Sequence, residues 1–61
     1  MKRRDLIKQL DEIAKAKGET LTLIEGGNHT RAAIGNWSEP LPRHREINEL
    51  LAKAIIRRAK K

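Results

Sequence analysis

The stretch that decides the fold is Thr20-Leu-Thr-Leu-Ile-Glu-Gly-Gly-Asn-His-Thr-Arg-Ala-Ala-Ile-Gly-Asn-Trp-Ser-Glu-Pro-Leu41. Its first six residues, Thr20–Glu25, alternate Leu21 and Leu23 with threonines, the pattern of a half-buried strand. Glu25-Gly26-Gly27-Asn28 is a turn by composition. His29–Ile34 reads as a second strand, with Thr30, Ala32 and Ile34 on one face and His29, Arg31 and Ala33 on the other. Gly35-Asn36 is a two-residue hairpin signal. Trp37–Leu41 then forms a third strand, which Pro40 confines to an edge or to an early end.

On either side of this stretch the apolar spacing becomes helical. Leu6, Ile7, Leu10, Ile13 and Ala14 predict an amphipathic helix over Lys2–Lys17, stopped by Gly18. Lys2, Arg3 and Arg4 crowd the positive end of that helix dipole with only Asp5 to offset them, a local conflict that marks candidates for function. Pro42–Ile47 is charged and proline-led, so the last helix starts at an Asn48 cap and runs from Glu49 to about Arg58. Leu50, Leu51, Ala54 and Ile55 read as its apolar stripe. The expectation is a single α+β domain over residues 1–61, ordered α-β-β-β-α, with both helices on one face of a three-stranded antiparallel sheet.

Composition limits what such a domain can do. Of 23 hydrophobic residues seven are alanine, so the core is small and a stabilising partner would be no surprise. Without cysteine there are no disulfides or thiolate metal sites, and no apolar run approaches the ~20 residues of a membrane span. A cytoplasmic protein is therefore expected. The net charge of +6 is split as +3 over residues 1–17, −2 over 18–41 and +5 over 42–61. Positive charge at both ends of the chain suits a polyanion such as RNA. With Trp37 the sole aromatic residue, a base-stacking sheet platform is excluded, and recognition through backbone and shape fits better.

Three segments together resemble the HicA family of bacterial toxins: Met1-Lys-Arg-Arg-Asp-Leu-Ile7, Glu25-Gly-Gly-Asn-His-Thr30 and Pro42-Arg-His-Arg-Glu-Ile47. The likeness covers essentially the whole chain, although Arg31–Glu39 is poorer in aromatic and β-branched residues than is usual in these strands. The resemblance implies a fold similar to double-stranded-RNA-binding domains, an endoribonuclease acting on mRNA, and neutralisation by a cognate HicB-type antitoxin. It also implies that the family's functional histidine falls on His29, which follows the Gly-rich turn and opens a strand.

The residues themselves bear on the same chemistry. Cleaving RNA without metal needs a base for the 2′-OH proton and an acid for the leaving 5′-oxygen, and imidazole suits both. Period-2 alternation puts His29 on the face away from the helices, beside Gly26 and Gly27, which leave room for a nucleic-acid backbone. Arg31 shares that face and is a candidate for stabilising phosphate charge. Asn28 either orients His29 or serves only the turn. Lys2, Arg3, Arg4, Arg43, His44 and Arg45 are candidates for phosphate contact. His29 and His44, fifteen residues apart without cysteine, make a poor metal-ligand pair, so neither metal nor cofactor is expected. The rival reading is a non-catalytic basic RNA-binding module. A DNA-binding regulator is disfavoured because the whole sheet separates the two helices.

Overall fold

The computed structural model describes residues 1–61 as helix α1 (Arg3–Ala16), strands β1 (Leu21–Gly26), β2 (His29–Ile34) and β3 (Trp37–Leu41), and helix α2 (Glu49–Lys60). This is the α+β, α-β-β-β-α layout expected from the sequence. The strands form an antiparallel sheet in the order β1-β2-β3. Both hairpins close on two-residue loops, Gly27-Asn28 between Gly26 and His29, and Gly35-Asn36 between Ile34 and Trp37. Gly35 has φ +54° while Asn36 keeps a negative φ, the combination that admits glycine first and asparagine second. Gly18, at φ +70°, ends α1 in the left-handed conformation that a residue without Cβ adopts freely.

Thr30, Ala32 and Ile34 of β2 point into the core and are buried, whereas His29 and Arg31 are exposed on the far face. Cross-strand neighbours share a face, so Leu21, Leu23 and Glu25 of β1 and Trp37, Glu39 and Leu41 of β3 join the buried side. Leu6, Leu10 and Ala14 of α1 and Ala52, Ile55 and Ala59 of α2 complete the core with Ile47 from the connecting loop. The alanines let the elements approach closely: Lys17 Nζ reaches the carbonyl of Ala59 at 2.6 Å and ties the end of one helix to the other.

Three expectations need correction. First, β1 is not half-buried: only its first residue is partly covered, and Leu23 and Ile24 are 39% and 51% exposed. It is an edge strand of which only Leu21 packs against the core. Second, of the expected stripe of α2 only Ile55 is buried, joined by Ala52 and Ala59, while Leu50 is 79% exposed. The small residues pack on the core beside Leu6, Leu10 and Ile55. Third, the helices differ at their ends: Lys2 lies outside α1, Lys17 caps it, and α2 continues past Arg58 to Lys60. The Asn48 cap is as expected, its Oδ1 accepting from the Leu50 and Leu51 amides at 2.9 and 3.3 Å.

Candidate nucleic-acid interface

The start of the chain and the loop before α2 build one surface. Lys2 forms an antiparallel bridge with Glu46, flanked by Arg3 N–H to Arg45 O at 2.8 Å and Ile47 N–H to Met1 O at 2.7 Å. This short pairing carries the Lys2-Arg3-Arg4 cluster against Arg43-His44-Arg45. The result is a concavity lined by Lys2, Arg3, Arg4, Arg43 and Arg45, with Ile7 and the single carboxylate Glu46. The first cations of the chain and those of the loop before α2 thus share one positive surface.

Its five cations differ in freedom. Lys2, Arg4 and Arg45 are exposed and their side chains make no hydrogen bond within the chain. Arg3 is half-buried, donating from Nε to Pro42 O at 3.1 Å and from Nη2 to Thr30 Oγ1 at 3.2 Å. Arg43 is the most heavily engaged. Its guanidinium donates to the carbonyls of Gly26 (3.0 Å), Gly27 (3.1 Å) and His29 (3.1 Å), to Thr30 Oγ1 (3.3 Å) and to Glu25 Oε1 (3.0 Å). Rather than projecting into solvent to meet a phosphate, it holds the β1–β2 turn.

Thr30 is the hub beneath that turn. Its hydroxyl, wholly buried, donates to Glu25 Oε1 at 2.8 Å and accepts from Arg3 and Arg43, which uses its one proton and two lone pairs. The Thr30 hydrogen bond, reinforced by the nearby Arg43 charge, holds the Glu25 carboxyl below the ordinary carboxylate range. Neither Glu25 nor Thr30 was singled out in the sequence. The signal was there, since the Gly27-Asn28 loop sets Glu25 opposite Thr30, and a threonine on a buried face must find partners.

His29 stands at the start of β2 on the outer face, at the edge of a shallow depression it shares with Gly26, Gly27, Arg31 and Ile24. A Cβ built on Gly26 or Gly27 would meet nothing within 4 Å, so the turn is open to an approaching molecule. Asn28 and His29 are exposed and their side chains have no hydrogen-bond partner in the chain. Arg31 lies two residues on, with Nη1 donating to Ser38 Oγ at 2.8 Å and its remaining donors free. His44 is exposed in the loop before α2, and no three of the histidines and carboxylates gather in a group that could hold a metal ion. Trp37 is turned to the other side of the sheet, its Nε1 donating to Glu39 at 3.0 Å.

The chain matches no known family, characterised protein or solved structure. No helix is long and apolar enough to cross a membrane.

Proposed function

We propose that this chain is an RNA-cleaving toxin of the HicA type, a metal-independent endoribonuclease with His29 as its catalytic base or acid, silenced by a cognate HicB-type antitoxin. The observation that carries the reading is Arg43, which lines the basic concavity and at the same time bonds the carbonyls of Gly26, Gly27 and His29. Through it, a surface suited to phosphates is continuous with the turn that presents an exposed imidazole. In this reading Lys2, Arg4 and Arg45 hold the RNA backbone, while Arg3 and Arg43 position the turn.

The chemistry follows from the residues. His29 takes the proton of a 2′-OH, whose oxygen attacks the adjacent phosphorus, and the bond from phosphorus to the 5′-oxygen breaks. Arg31, on the same face, offsets the negative charge that builds on the phosphoryl oxygens. The leaving oxygen takes a proton from an acid, giving a 2′,3′-cyclic phosphate and a 5′-hydroxyl. Exposed cations and open glycines suit recognition through backbone and shape.

One observation favours the non-catalytic RNA-binding module. The outer sheet face offers Thr22, Ile24, Arg31, Ala33, Ser38 and Pro40 around His29, and none of these is a second acid or base near neutral pH. Incubating the protein with RNA decides between the two. In the catalytic reading wild type cleaves, cleavage persists in excess EDTA, and His29→Ala lowers the rate by about a hundredfold or more while leaving RNA affinity and the thermal midpoint nearly unchanged. A wild type that binds without cutting establishes the module instead, and a His29→Ala protein that cuts as fast as wild type removes His29 from the chemistry.

A further inference from the structure

The two edges of the sheet are built differently. A two-residue loop closes on a hydrogen-bonded pair, and such pairs alternate along an antiparallel ladder. The Gly26–His29 closure therefore turns the backbone groups of Gly26, Ile24 and Thr22 toward β2, leaving those of Leu21, Leu23 and Glu25 pointing away from the sheet. No turn, loop or side-chain hydrogen bond of the chain reaches the backbone groups of these three residues. Along β3 the same argument from the Ile34–Trp37 closure turns Ser38 and Pro40 outward. Proline has no N–H, so that edge is blunted.

Nothing blunts β1. It contains no proline and no lysine, and its one charged side chain, Glu25, is occupied by Thr30 and Arg43. Leu23 and Ile24 remain exposed on opposite faces. An edge with free donors and acceptors and aliphatic side chains on both faces is a template for another strand. We propose that β1 is the docking edge for an extended segment of a partner protein in which aliphatic residues alternate with carboxylates. A second copy would bring a further +6 to the seam, whereas the cations beside it, Arg31 cross-strand from Ile24 and Arg43 paired with Glu25, favour an acidic segment. A strand seated there lies next to Ile24, whose cross-strand neighbour is Arg31, and so beside the face that carries His29. Naming that partner as the inhibitor rests on the function proposed above; the docking edge itself rests on strand geometry and charge, and its test involves no RNA.

The test is amide hydrogen exchange by NMR on the full chain, with a short capped peptide alternating glutamate and valine as probe. The expected result is saturable protection of the Leu21, Leu23 and Glu25 amides, with the lysine-for-glutamate peptide much weaker. Leu23→Pro deletes one outward donor without touching the β1–β2 ladder and weakens binding by about tenfold or more. Leu23→Glu, which keeps the N–H but sets a like charge against the peptide, weakens it too, and serves where the proline variant does not fold. Protection on α2 or β3 instead, protection of the same amides in concentrated protein without peptide, or no protection up to millimolar peptide each overturns the proposal.

Discussion

A single guanidinium settles how the turn before His29 is held. Arg43 spreads its bonds over the carbonyls of Gly26, Gly27 and His29 together with Glu25 and Thr30, a set that a planar fork can reach and a point charge cannot. Arg43→Lys is therefore expected to behave nearly as Arg43→Ala. Both should speed amide exchange in residues 26–29 and lower RNA cleavage, while wild-type exchange persists in the core of β2. If lysine restores protection and activity fully, charge rather than geometry is what the turn needs. Thr30→Val gives a companion measurement. Removing a buried hydroxyl with three partners should cost about 1–3 kcal/mol, read as a fall in the denaturation midpoint.

At the level of elements, α2 is fastened to β3 by Glu39 and Arg58, whose Nε and Nη2 meet the two carboxylate oxygens at 2.5 and 2.9 Å. Arg58 chiefly, and Trp37 after it, keep the Glu39 carboxyl below its usual range. Thr30 does the same for Glu25, and the chain's amino group for Glu49. Because these carboxylates are more acidic in the folded chain than unfolded, their stabilisation is complete above the unfolded value and disappears as pH falls through the folded one. The thermal midpoint should stay level from neutrality to about pH 5 and drop below about pH 4. Glu39→Gln should start lower and fall less steeply; an equally steep fall would assign the acid limb to other groups. The elements also show what was legible in the sequence. Hairpin loops were, because Gly27-Asn28 and Gly35-Asn36 act through local backbone preference, and so was the alternation that buries Thr30 and exposes His29. The facing of α2 was not. The leucine-led set Leu50, Leu51, Ala54 and Ile55 and the buried set Ala52, Ile55 and Ala59 both fit helical spacing, and hydrophobicity favours the first, yet the packing of α2 on α1 and β3 turns the second inward. That is a property of a neighbour forty residues away along the chain, which no local pattern contains. The candidate site was legible in its residue types, but the division between Arg43, which holds the turn, and the freely exposed Arg4 and Arg45 appears only once the start of the chain meets the loop before α2.

For the whole molecule, what matters to a polyanion is the number of cations still free rather than the formal +6. Arg3, Arg43 and Arg58 are engaged inside the fold, while Lys2, Arg4 and Arg45 stand open on the concavity. Arg4→Ala with Arg45→Ala should weaken RNA binding and reduce the salt dependence by about one counterion per lost phosphate contact, leaving the cleavage position unchanged. Fluorescence anisotropy across a salt series measures both, and an unaltered slope would remove these residues from the interface. Arg3→Ala should act differently, lowering stability through Thr30 and Pro42 before it changes any slope. The concavity has one more consequence, which concerns time. Its walls come from residues 2–7 and 43–46, and the pairing that joins them, Lys2 with Glu46, spans most of the chain. Synthesis runs from the amino end, so a nascent chain carries Lys2, Arg3 and Arg4 out of the ribosome long before their counterparts exist. Until residues 45–47 have emerged and closed against Met1–Arg3, there is no concavity at all. A chain built this way gathers that basic surface only when its synthesis is nearly done.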